Sequence, residues 1–157
     1  MWELQLARPG PASEGPCRSR WQNRPVARYY DIDAANARVT ELRPVLESLR
    51  ADRDAVAVAN TDLRRLRETN GSSKHAEELE EREEEVRSIV RRMQASVAQI
   101  EAWSVTLRDI ETGLVDFPAL VSGRPVWLCW RLGEGPIEWW HEHDRGFDER
   151  KPLAELT

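Results

Sequence analysis

Between Asp116 and Arg150 the chain gathers the side chains that could do chemistry: Asp116, Cys129, Arg131, Glu134, His141, His143 and Arg150. They are set among Trp127, Trp130, Trp139 and Trp140, four of the seven tryptophans in the chain. A thiol, imidazoles and carboxylates are the donors that hold zinc and its neighbours. An imidazole beside a carboxylate can also move protons. Arginines beside tryptophans can hold an anionic or aromatic molecule, or a peptide. The candidate ligand-binding residues are therefore Asp116, Trp130, Arg131, Glu134, Trp139, His141 and Arg150.

Spacing decides among these chemistries. Residues 126–131 and 137–141 read as strands separated by Gly133-Glu134-Gly135-Pro136. A symmetric hairpin centred on Glu134-Gly135 opposes Arg131 to Glu138, Trp130 to Trp139, Cys129 to Trp140, and Leu128 to His141. Side chains alternate along a strand, so this register sends Cys129 and His141 to opposite faces. A metal shared by those two is not expected. His141 and His143 fall on one face as secondary metal candidates. A third ligand would have to come from Asp116, Asp144 or Glu134, and no spacing fixes one. The expectation is no metal and no cofactor. A Gly-rich phosphate loop, a nucleophile elbow and a paired-Cys motif are all missing. An enzyme is the less favoured reading.

The same residues carry a resemblance. Gly113-Leu114-Val115-Asp116-Phe117-Pro118, then Leu128-Cys129-Trp130-Arg131-x-Gly133-Glu134, Trp140-His141, Gly146-Phe147 and Arg150, resemble a family of small prokaryotic proteins known as domain of unknown function 2203. Tyr29-Tyr30-Asp31-Ile32-Asp33-Ala34-Ala35-Asn36-Ala37 is similar to that family's first helix start. The resemblance covers roughly residues 29–153. It implies the architecture and singles out Asp116, Trp130, Arg131, Glu134, His141, Gly146 and Arg150, but it implies no reaction.

The elements that must position these groups are mostly helical. Asp31 or Asp33 can cap a helix over 33–69, whose apolar line runs Ala35, Val39, Leu42, Leu46, Leu49, Arg53, Val56, Asn60, Leu63, with Pro44 near its start expected to kink it. Asn70-Gly71-Ser72-Ser73 is a turn. A second line, Leu79, Glu83, Val86, Val90, Met93, Val97, Ile100, Ser104, Leu107, predicts a helix over 73–111. Both lines have a period near 3.5, as paired helices do. Folding back at Gly71 aligns them, with Asn60 level with Glu83.

The expected fold is thus α+β and mostly helical. It is a long, coiled-coil-like antiparallel two-helix hairpin with a small C-terminal antiparallel β element (114–143) packed at its open end. A tail over 144–153 and the end at 154–157 follow. Residues 1–28, rich in proline, glycine and arginine, read as a disordered leader that Trp2 and Trp21 could dock locally.

Composition narrows the partners. Net charge is −5, and the segment from Gly113 onward holds eight acidic against five basic residues, so nucleic acid is not favoured. The acidic run at 77–85 reads as the solvated start of the second helix. No apolar run is long enough to span a membrane. Cys17 and Cys129 suggest no disulfide, so a cytoplasmic protein is expected. A lone helix pair leaves Val45, Val58, Leu66, Ile89 and Ile110 on its flanks, which points to self-association or a protein partner. The leading reading is a non-enzymatic interaction module. The alternative is a small enzyme or a ligand- or metal-binding protein using His141, Glu134, Arg131 and Asp116.

Overall fold

Asp31 opens the first helix by accepting the Ala34 N–H at 2.7 Å on its carboxylate, which satisfies a donor that the first turn leaves free. In the computed structural model, which describes residues 28–69, 71 and 73–156, helix α1 runs from Ile32 to Glu68, straight through Pro44. Helix α2 runs back from Ser73 to Ala102. Residues 1–27 of the leader, with Trp2, Trp21 and Cys17, lie outside the described residues. So do Asn70 and Ser72 of the expected turn.

The antiparallel pairing is fixed by side chains that reach across it. Arg92 donates to Asp52 at 2.6 Å and Arg67 to Glu83 at 2.8 Å. The seam follows the expected line through Leu49, then continues through Asp52, Ala59 and Leu63 rather than Arg53 and Asn60. The step to Asp52 sets two intervals of three in a row, after which half-buried Val56 restores the alternation through Ala59 to Leu63 and keeps one stripe against the partner helix. Asp52 is the buried polar residue of the seam and is paired with the exposed Arg92, while Glu83 pairs with Arg67. On α2, Ile89 takes the buried place expected for Val90. Of the flanking residues expected to lie open, Ile89 is buried and Val45, Leu66 and Ile110 are partly buried. Only Val58 is fully exposed, at 63%.

Helix α2 ends nine residues earlier than its periodicity predicts. Ser104 adopts a left-handed φ of 59°. Its N–H bonds to the Glu101 carbonyl at 2.8 Å, and the Val105 N–H bonds to the Ile100 carbonyl at 3.3 Å. This pair of bonds closes a helix C-terminus, with apolar Val105 and Ile100 buried beside it. The residue in the left-handed position is usually Gly. Here it is Ser, so the stop is unmarked in the sequence.

Released from the helix, the chain forms β1 (Thr106–Asp109), β2 (Leu114–Val121), β3 (Arg124–Arg131), β4 (Trp139–Glu142) and a two-residue β5 (Lys151–Pro152). They pair in sequence order as one antiparallel meander. Ser122 and Gly123, with φ of 52° and 78°, make the tight turn between β2 and β3. One sheet face presents Val115, Phe117, Val126, Leu128, Trp130 and Trp140 to a core completed by Leu42, Leu46, Leu49 and Ile100. Tyr30 ties the strand edge to the helix end, its ring edge-on to Phe117 and its hydroxyl donating to the Trp103 carbonyl at 2.5 Å. Among the described residues no helix is long and apolar enough to cross a membrane.

The β3–β4 register differs by one residue from the symmetric hairpin. Cys129 opposes Trp139, Leu128 opposes Trp140, and Trp127 opposes His141. The connection is an irregular loop held by side chains. Glu134 accepts the Arg131 N–H at 3.0 Å, the Trp130 indole donates to the Gly135 carbonyl at 2.8 Å, and Asn36 on α1 accepts the Ile137 N–H at 2.8 Å. A one-residue slip turns over every side chain of the strand relative to its neighbour. The expected Trp130–Trp139 and Arg131–Glu138 pairs are therefore absent. Trp140, not Trp139, enters the core.

Candidate buried acid, thiol and imidazole site

The outer face of the sheet carries the consequence of that register. Asp116 on β2 lies opposite Cys129 on β3, and His141 on β4 now points to the same side. All three are buried, and their donor atoms lie within 4.8 Å of one another. The expectation that Cys129 and His141 face apart is overturned, and with it the ground for excluding a shared metal.

The roof is the segment that leads from β4 to β5. With Arg108 and Leu114 from the sheet, His143, Asp144, Arg145, Gly146 and Phe147 enclose a cleft of about 300 Å³ that opens on Asp116 and His141. Arg150 holds this roof. Its guanidinium lies 4.1 Å from the Phe147 ring centre and 4.8 Å from that of Trp139, and it donates to Glu134 at 2.8 Å.

The hydrogen bonds at the floor of the cleft are specific. Asp116 Oδ2 accepts from Arg108 Nε at 2.7 Å and lies 3.1 Å from His141 Nε2. His141 Nδ1 lies 2.8 Å from the Glu142 carbonyl. A carbonyl and a carboxylate can only accept, so Nδ1 carries a proton and Nε2, the nitrogen turned to the site, carries one whenever it bonds to Asp116. A metal ion there would take the place of the Nε2 proton. Asp116 Oδ1 is buried with no hydrogen-bond partner among the described residues. A buried carboxylate oxygen left without a partner is costly.

Titration behaviour follows from these contacts. Burial alone would lower the His141 imidazole. Its bonds to Asp116 and to the Glu142 carbonyl, together with the carboxylate charge, hold it above the usual histidine range. Burial first, and then the negative charge of Asp116, pushes the Cys129 thiol up to about 12. The Arg150 charge opposes this only in part, so Cys129 is a neutral thiol at physiological pH and not a nucleophile.

The remaining sequence candidates divide cleanly. Asp116 and His141 meet at the floor, and His143 stands on the cleft wall with its ring 5.1 Å from that of Trp127. Trp130 is on the opposite, inner face. Arg131, Glu134, Trp139 and Arg150 form a separate clamp on the loop and roof. Glu134→Ala is accordingly expected to cost about 1.5–3 kcal/mol, the range for lost hydrogen bonds to charged groups, read as a lower urea midpoint. Two site residues were not among the sequence candidates. Cys129 was set aside by the register, and Arg108 fell inside the expected helix. The alternation Val105-Thr106-Leu107-Arg108 was the available sign of a strand there.

A family model described as an uncharacterized conserved protein (DUF2203) matches residues 28–153. The chain belongs to that family. No curated protein and no solved structure matches it. For this DUF2203 protein the geometry of the outer face is therefore the direct guide to chemistry. The matched span contains both helices, the whole sheet and every residue of the buried site.

Proposed function

We propose that the protein binds a divalent transition metal ion, zinc above others, through Asp116, Cys129 and His141, and works through the cleft above it. The observation that carries this reading is the convergence of three buried donors from three strands, one of them a carboxylate oxygen without a partner. A thiolate, a carboxylate and a neutral imidazole bring two negative charges to a doubly charged cation, so the buried set is balanced when the ion is bound. The mixed sulfur, nitrogen and oxygen set suits zinc or cobalt and does not suit magnesium or calcium.

The surroundings support the same reading. The Glu142 carbonyl fixes the tautomer that leaves His141 Nε2 for the ion, and Arg108 steadies Asp116 through Oδ2 while Oδ1 is left for it. Partners of this kind orient metal ligands and tune their affinity. Three protein ligands with a fourth position facing a cleft is the pattern of catalytic rather than purely structural zinc. The helical hairpin serves as the scaffold on which the sheet is braced. Self-association is the second reading, and among the described residues Ile32 and Val58 on α1 and Val90 on α2 are the exposed large apolar side chains of the helices that favour it.

Elemental analysis of the purified protein tests this directly. The expected result is about one zinc per chain, exchangeable for cobalt(II), with the cobalt form showing tetrahedral visible bands and a near-ultraviolet thiolate band. Protein that takes up neither zinc nor cobalt at stoichiometric levels, or a cobalt spectrum with no thiolate band, would overturn the reading.

A further inference from the structure

Above Asp116 and His141 the cleft has a cationic wall with an unused recognition group. Arg108 lines the cleft, lies over the Trp127 ring at 5.0 Å, and among the described residues spends only its Nε–H, on Asp116. A guanidinium has five N–H donors in a planar fork, so its two terminal nitrogens keep a pair of donors for a ligand. Stacking on the indole holds that fork in place. His143 and Arg145 stand on the same wall, and Asp144 is the acidic residue that faces them. Arg145 is partly spent on Glu149 at 3.0 Å.

We infer that the cleft takes a small molecule bearing an oxyanion, a carboxylate or a phosphate, held at one end by the Arg108 guanidinium and at the other by the open coordination position of the proposed metal. The inference rests on the metal reading and names the ligand class of the same site. The two anionic donors balance the ion, so Arg108 leaves the loaded site one positive charge, and its fork together with the open coordination position selects a compact group with two or more acceptor oxygens. The size of the cleft fits a small metabolite and not a polymer. Arg108 is thus a binding residue through its terminal nitrogens and a positioning residue for Asp116 through Nε.

The experiment uses the full chain loaded with cobalt(II), titrated separately with inorganic phosphate and with acetate while the visible spectrum is followed. The inferred ligand class predicts that at least one anion shifts the visible bands saturably while the thiolate band persists. The stronger of the two identifies the source as phosphate or carboxylate. Arg108→Gln should weaken that anion about 10-fold or more and still bind cobalt. Arg108→Lys keeps the charge but loses the fork, and should fall between the two. If cobalt binds and neither anion moves the bands, the oxyanion inference is overturned and the metal site stands. If the anion abolishes the thiolate band, it strips the metal, and the inference is likewise overturned. If cobalt does not bind at all, both readings fall. Equal anion affinity in wild type and Arg108→Gln would remove Arg108 from the site.

Discussion

Cys129→Ser is expected to abolish the chelator sensitivity of the protein, whereas wild-type protein should lose about 10 °C of melting temperature when its metal is removed. An ion present at about 100 times its dissociation constant stabilises the folded state by about 2.7 kcal/mol. In a domain of this size each kcal/mol moves the melting temperature by about 4 °C. Serine fills nearly the same space as cysteine but offers a poor zinc donor, so the variant should bind at least about 100-fold more weakly, beyond what loss of an outer partner costs. The comparison that matters is with chelator present. There the wild type and Cys129→Ser should melt within a few degrees of each other, because the thiol is then only a small buried group. A large difference persisting in chelator would mean that Cys129 stabilises the sheet by packing alone. His141→Gln offers an independent check, since it should lose the chelator response while leaving the thiol in place.

Much of the scaffold could be read from residue order. Leu42, Leu46, Leu49 and Leu63 recur at helical spacing on one arm and Ile100 closes the other, so a two-helix hairpin follows from burial of a single stripe. Asp31 caps the first helix as its position before the apolar run requires. Glu134 orders its turn through the Arg131 N–H, as a carboxylate at that place can. These are local features, decided within a few residues of chain.

What could not be read was set by contacts distant in sequence. The end of α2 depends on Ser104 accepting a left-handed backbone that sequence normally reserves for Gly. The β3–β4 register depends on Asn36, on the first helix, taking the Ile137 N–H across 101 positions of chain. A two-residue turn would have fixed the register locally. This longer loop leaves it to tertiary packing, and the period of two converts a single step into a change of face. The candidate site inherits that sensitivity. Cys129 and His141 were visible as ligand types from the start, but whether they meet is decided by a helix outside the hairpin. Arg108 was hidden for a related reason, since the misplaced helix end kept β1 from view.

Substitution of the tryptophans tests this register without reference to any ligand. Trp130 is fully buried between sheet and helices, donates to the Gly135 carbonyl, and lies beneath the Arg43 guanidinium at 5.2 Å. Trp130→Ala should cost about 3–5 kcal/mol, the range for removing a buried aromatic. Domains of this kind hold about 5–15 kcal/mol in all, so the variant should sit close to unfolding at 37 °C. With a urea slope of about 2 kcal/mol per molar, the midpoint should fall by about 2 M. Circular dichroism is the proper readout, because six other tryptophans contribute to the fluorescence. Trp130→Phe keeps the ring and loses the indole N–H, so it should lose about 1–2 kcal/mol. The decisive pair lies on β4. Trp140 is buried in the core and bonds to the Pro152 carbonyl at 3.1 Å, whereas Trp139 is half-buried on the outer face under Arg150. Trp140→Ala should therefore destabilise by about 2 kcal/mol more than Trp139→Ala. The reverse order would restore the symmetric hairpin, return His141 to the inner face and separate it from Cys129.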